Sequence, residues 1–231
     1  MGIMNLFRST KTEQKSANLD DYIVSLDKVA VSLTKETNVD FTNLKSKVKL
    51  VLDYSGSMSG RYSNGTMQEV INKLFPFALK FDDDGEMECY LFSDYYKEIK
   101  PCKKSNYEDY ISRNVMRSSF CMGGTSYAGV LNAIHSKVTN DIPEFIIFIT
   151  DGDNFDKTET DKIVRAMSTD NCFIMFVGIG RDNFSYLETL DVFDDRPIDN
   201  TGFVKFADIE KVNETEMYTK LLTEYSNWLK R

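Results

Sequence analysis

The sequence predicts an α/β three-layer sandwich, with a mostly parallel central sheet, one antiparallel edge strand and helices on both faces. Three observations carry this. From Lys47 onward, short apolar runs alternate with segments whose apolar residues recur at helical spacing, the pattern of strand–helix units that build a parallel sheet. Residues 145–150 and 172–177 are apolar without a break, as expected of strands covered on both faces. Residues 86–92 and 95–99, joined by a short Ser93-Asp94 turn, read instead as an antiparallel hairpin at one edge.

The elements follow in order. Residues 8–18 are polar, and the segment 1–18 is expected to be mobile. Leu19, Tyr22, Ile23, Leu26, Val29, Ala30 and Leu33 then share one helical face, with Asn18 as the N-cap. This extra N-terminal helix and its linker, residues 19–46, are expected to dock against the domain proper, residues 47–231. The first strand, 47–53, ends in a Gly/Ser loop. A helix over 66–81 presents Met67, Val70, Ile71, Leu74, Phe77 and Ala78, and Pro76 inside it predicts a kink. A short helix over 107–113 and a helix over 125–138, opened by Gly123-Gly124, follow the hairpin. The remainder reads as helix 158–167, helix 184–193, strand 203–206 and a closing helix 215–229 around the two buried strands.

Composition narrows the function. With 42% hydrophobic residues the chain is globular. Its net charge of -8, with no cluster of basic residues, disfavours nucleic acid and anionic membrane as partners. Cys89, Cys102, Cys121 and Cys172 form no CxxC pair, and Cys89 and Cys172 fall inside apolar runs where a free thiol acts as a small hydrophobe. No run approaches the ~18 apolar residues of a membrane span, and Met1 to Phe7 is too short for a secretory apolar core. A reducing, cytoplasmic setting is expected.

In sheets of this kind, ligands bind beyond the carboxyl ends of the strands, where the strand order reverses. Three loops at such ends carry oxygen donors. Asp53-Tyr54-Ser55-Gly56-Ser57 follows the first strand and can bring a carboxylate and two hydroxyls together, with Gly56 permitting the turn. Gly123-Gly124-Thr125 opens a helix, and Thr150-Asp151-Gly152-Asp153 ends the most buried strand. Hard oxygen donors suit magnesium, manganese or calcium, not zinc.

These three loops, in this order, resemble the metal-ion-dependent adhesion site of the von Willebrand factor A (vWA) family. The resemblance implies a vWA, Rossmann-like fold over 47–231. It also implies that Asp53, Ser55, Ser57, Thr125 and Asp151 surround one divalent cation, magnesium first, with manganese or calcium as alternatives. A partner protein would supply an acidic side chain to that cation. A narrower resemblance, to the tellurium-resistance TerF-type branch, rests on four segments. They are Phe81-Asp82-Asp83-Asp84-Gly85, Phe176-Val177-Gly178-Ile179-Gly180, Asp199-Asn200 and the tail from Leu222 to Leu229. It implies a bacterial or phage stress-response setting.

Other residues are read more plainly. His135 is the only histidine and belongs to helix packing. Asp153 caps or solvates its loop, with a place in the metal shell as the alternative. Asp82-Asp83-Asp84 forms a turn closed by Gly85, and Trp228 with Tyr225, Leu222 and Leu221 packs into the core. Arg61 and Tyr62 either gate the metal loop or stand exposed beside it. The expected function is a non-catalytic, metal-dependent binding module. One alternative is a scaffold whose cation only stabilises the fold. A weaker one is metal-assisted phosphoryl transfer, since an aspartyl-phosphate enzyme wants Asp-x-Asp where the chain has Asp53-x-Ser55. Neither a GxxxxGK[ST] loop nor a GxSxG elbow is present.

Overall fold

A computed structural model describes residues 18–231. The mobile segment expected at the start of the chain lies, except for Asn18, outside the described residues. Asn18 caps helix α1 (Leu19–Thr37) reciprocally: its side chain accepts from Asp21 N at 2.9 Å, and the Asp21 carboxylate accepts from Asn18 N at 3.2 Å. The buried stripe of α1 is Tyr22, Leu26, Val29, Ala30 and Leu33, a 3.6-residue periodicity laid against helices α3 (Thr66–Phe81) and α7 (Glu214–Leu229). Tyr22 Oη donates to Glu69 at 2.6 Å and Lys80 Nζ to Asp27 at 2.7 Å, which fixes the helix in place.

Six strands form one sheet: β1 (Lys47–Asp53), β2 (Met87–Phe92), β3 (Tyr96–Cys102), β4 (Glu144–Thr150), β5 (Cys172–Ile179) and β6 (Thr201–Phe206). Their order is β3-β2-β1-β4-β5-β6, and all neighbours are parallel except β2 and β3. The order reverses between β1 and β4, which are adjacent. Side chains alternate strictly. Leu50, Leu52, Ile147, Ile149, Met175 and Val177 face a core shared with α1, α3 and α7. Val51, Ile146, Phe148, Ile174 and Phe176 face a second core under α4 (Ala128–His135), α5 (Lys157–Met167) and α6 (Ser185–Asp191). Each such side chain, fully buried, contributes about 1.5–3 kcal/mol, so the unbroken apolar strands need helices on both faces.

The structure departs from the sequence reading in particular places. The helix expected over 125–138 begins only at Ala128, because the Asp156 carboxylate accepts from Tyr127 N and Ala128 N at 2.9 Å each and sets the first turn from another loop. Thr125 therefore precedes the helix. Strand β3 extends past residue 99 to Cys102, and Pro101 is tolerated there because β3 is an edge. The helix expected over 107–113 is a 3₁₀ turn, Tyr107–Asp109, followed by a π turn, Ile111–Val115. A short helix α2 (Ser59–Ser63) follows the Gly/Ser loop unforeseen, and α3 continues as one helix through the buried Pro76. His135 pairs with Asp170 at 2.9 Å, and Trp228 is buried against Phe173 and Tyr225.

Candidate functional site

The carboxyl ends of β1 and β4 meet at the reversal of strand order, and three loops converge above them. Asp53 ends β1 and is wholly buried. Its two oxygens accept from Ser55 N at 2.8 Å and Thr150 Oγ1 at 2.7 Å. The first bond curls the chain back on itself after the strand, so the Ser55 and Ser57 side chains stand 3.0 Å apart, Oγ to Oγ. Ser57 Oγ donates in turn to Asp151 Oδ1 at 2.8 Å. Ser55, Ser57 and Asp151 thus form a continuous string of oxygens, with Asp53 beneath Ser55. Thr125 lines the same cleft, of about 300 Å³, with Ser57, Asp151, Gly152, Asp153, Asp182 and Asn183.

The middle loop is tied to the first by backbone. Ser55 and Gly123 form an isolated parallel bridge, and Gly56 N donates to Gly123 O at 3.0 Å. Both glycines of this loop let neighbouring side chains approach closely. A Cβ on Gly123 would stand 2.1 Å from Asp94 Oδ2, and one on Gly124 would stand 2.5 Å from Asp94 Oδ1 and 2.8 Å from the Phe155 ring. The Asp94 carboxylate occupies that space because it accepts from Gly124 N at 2.9 Å. Phe155 N donates to Thr125 O at 2.9 Å, which pins the third loop to the second and leaves the Phe155 ring 82% exposed beside Thr125.

Several residues support the site through contacts that the sequence does not show, and of these Tyr127 was not singled out from it. Thr150 Oγ1 lies 3.0 Å from Tyr127 Oη, so the donor to Asp53 is itself held by a buried phenol. Tyr62 is buried and donates to Asp53 O at 2.7 Å, fastening α2 under the loop. Arg61 reaches Asp151 Oδ2 at 2.8 Å and Ile179 O at 3.0 Å, and so bridges the ends of β4 and β5. Of the two expectations for Arg61 and Tyr62, simple exposure does not hold. Asp153 is exposed and paired with Lys157 at 2.7 Å, while capping falls to Asp156.

Electrostatics follow from burial. Desolvation pushes the Asp53 carboxyl up to about 6, against the hydrogen bonds from Ser55 and Thr150, with Asp151 adding to the rise. Burial also raises Asp151, opposed by Ser57 and Arg61. Two neighbouring carboxylates held against their preference for water are what a bound cation relieves.

The donor chemistry fits a hard divalent ion. Octahedral ligands at about 2.0–2.1 Å from magnesium stand about 2.9 Å from one another, close to the 3.0 Å and 2.8 Å steps of the Ser55–Ser57–Asp151 string. Among the described residues no three His, Cys, Asp or Glu side chains are grouped so as to hold a metal ion by themselves, and the donors along the string are the Asp53 and Asp151 carboxylates and the serine hydroxyls.

The reversed strand order, the single antiparallel edge and the loop triad at the switch define a vWA-type domain. A family model described as the vWA domain found at the TerF C terminus matches residues 45–231, and the chain belongs to this vWA-TerF-like family. Helix α1 precedes the matched region. The uncharacterized protein YcbR of Bacillus subtilis (strain 168) is 32% identical over 213 residues, 90% of this chain and 86% of that protein. Among solved structures, the conserved hypothetical protein BatB from Bacteroides thetaiotaomicron superposes with a TM-score of 0.59 at 16% identity, covering 80% of this chain and 100% of that one. Manganese-loaded TRAP protein of Plasmodium vivax gives 0.54 at 15% identity, covering 80% and 74%. Proximal thread matrix protein 1 of the mussel byssus gives 0.56 at 16%, and the 78% of this chain that aligns spans only 46% of that one. At these identities the solved structures establish the fold. No helix among the described residues is long and apolar enough to cross a membrane.

Proposed function

We propose that Asp53, Ser55, Ser57, Thr125 and Asp151 hold one divalent cation, magnesium in the first instance, and that the domain uses it to capture an acidic side chain of a partner protein. The observation that carries this reading is the Ser55–Ser57–Asp151 string, with steps of 3.0 Å and 2.8 Å, at the open switch point of the sheet. When bound, the cation supplies an electrophilic centre whose remaining positions accept oxygen ligands from outside. The chain's own part is to present neutral hydroxyls, to hold Asp53 rigidly beneath them, and to keep the cleft open toward solvent. The manganese carried by the TRAP structure supports a divalent ion on this fold. A bacterial or phage stress-response system of the tellurium-resistance type is the biological setting the family suggests.

Among the described residues no histidine, cysteine or lysine lines the cleft as base or nucleophile, which favours binding over turnover. Ser55→Ala and Thr125→Ala are expected to keep the fold and to bind Mn²⁺ at least about tenfold more weakly, measured by the electron paramagnetic resonance of free Mn²⁺. Unchanged affinity in both contradicts the site. A peptide-display selection on Mn²⁺-loaded protein, released with chelator, is expected to enrich peptides with a constant Asp or Glu. Equal enrichment on Asp53→Ala, or enrichment with no acidic residue, contradicts the adaptor reading and favours a scaffold. Aryl phosphate turnover that disappears in Asp53→Asn would favour the phosphoryl-transfer alternative.

A further inference from the structure

Arg61 is placed too deliberately to be a surface cation. Its helix, α2, is anchored by the Tyr62 bond to Asp53 O, and its own side chain is only 23% exposed. One guanidinium nitrogen donates to Asp151 Oδ2 at 2.8 Å and another to Ile179 O at 3.0 Å. The group lies close against Gly180, whose φ of 112° and missing side chain leave the room: a Cβ there would stand 2.4 Å from Arg61 Nη2. Three strand ends thus cooperate to hold one positive charge on one of the five candidate ligands.

The consequence is a matter of charge. Asp53 and Asp151 together would balance a divalent ion. With Arg61 fixed on Asp151, the same set carries one positive charge in excess once the ion is in place. Of the other acids nearby, Asp153 is paired with Lys157 at 2.7 Å, and Asp182, which lines the cleft, is exposed and contributes only a solvent-screened negative charge. Asp151 is held by both oxygens, on Ser57 at 2.8 Å and on Arg61 at 2.8 Å, so the guanidinium charge sits directly on a candidate ligand.

We propose that Arg61 is a built-in counter-charge that weakens the intrinsic hold on the cation and makes its retention depend on an anionic group from outside. Cation and acidic partner then bind as a pair, each raising the affinity of the other by the same factor. This rests on the cation site proposed above and specifies how its affinity is regulated.

The test measures Mn²⁺ affinity by electron paramagnetic resonance on wild type, Arg61→Gln, Arg61→Met, Arg61→Lys and Asp53→Ala, in chloride and in acetate at equal ionic strength, corrected for Mn²⁺–acetate complexation. Removing a unit charge this close to a ligand, at an effective dielectric of about 20, changes affinity by about tenfold or more. In chloride, Arg61→Gln and Arg61→Met are expected to bind Mn²⁺ at least about tenfold tighter than wild type, and Arg61→Lys to stay within about threefold of it. Acetate is expected to tighten Mn²⁺ binding by wild type severalfold and to do little for the two neutral variants. Circular dichroism melts establish that each variant is folded. Equal or weaker binding by both neutral variants, with Asp53→Ala still abolishing it, overturns the role of Arg61 and leaves the cation site standing. Absence of Mn²⁺ binding in every protein overturns the site and this inference with it.

Discussion

Metal-free Asp53→Asn is expected to unfold at a higher midpoint than metal-free wild type at pH 7, and to gain nothing from added Mn²⁺. Asp53 is wholly buried, and desolvation lifts its carboxyl from 3.8 to about 6 in the folded protein. A folded value above the unfolded one means that folding favours the protonated acid. The associated stability is present in full below the unfolded value and is lost as pH rises through about 6. At pH 7 the charged carboxylate therefore costs up to about 3 kcal/mol, at roughly 1.4 kcal/mol per unit. Asparagine keeps the shape: its carbonyl accepts from Ser55 N and its amide donates to Thr150 Oγ1, which has Tyr127 as a further partner. The gap between the two metal-free proteins should narrow by about half as pH falls from 7 to 5, and close only below the unfolded value of 3.8, read by chemical denaturation. A variant less stable than wild type at pH 7 without metal would show that the carboxylate is not held against its preference.

The second large effect lies at the opposite end of the sheet. Lys49→Met is expected to destabilise the domain by about 3–5 kcal/mol, because it strands a buried charge. Lys49 is 2% exposed and pairs with the wholly buried Glu144 at 3.0 Å and with Glu88 at 3.2 Å. Burial pulls the lysine pKa down, but the two glutamates outweigh it and leave it above its usual value. For a domain of this size the loss corresponds to a melting temperature lower by roughly 10 °C. The double variant Lys49→Met/Glu144→Leu is expected to recover most of the stability, since apolar packing replaces a buried pair at little cost. A single variant as stable as wild type would show that Glu144 finds water or another cation.

That ion pair also shows where the sequence stopped being legible. Strands β4 and β5 were readable as unbroken apolar runs and β1 as a largely apolar strand, and they are the strands packed on both faces. Lys49 was readable only as one of several lysines near a strand, since its partner Glu144 lies 95 positions away and meets it only through the parallel register of β1 with β4. The start of α4 failed for the same reason. A glycine pair followed by threonine looks like a helix opening, but Asp156 supplies the cap from a different loop and moves the first turn to Ala128. Of the candidate site, Asp53, Ser55 and Ser57 were legible because they lie within one turn, and Thr125 and Asp151 because the family pattern points to them. The contacts of Thr150, Tyr127 and Arg61 were not, because each acts across a gap that only the sheet closes.

The most direct measurement is a thermal melt of chelator-stripped protein titrated with Mg²⁺, Mn²⁺ and Ca²⁺, in wild type and Ser55→Ala. An ion that binds only the native state adds RT ln(1 + [L]/Kd), about 2.7 kcal/mol at a hundredfold excess over Kd. The cation site predicts a saturable rise in wild type that Ser55→Ala loses while its metal-free melt stays close to that of wild type. An equal rise in both proteins, or none in either across millimolar concentrations of all three ions, would contradict it.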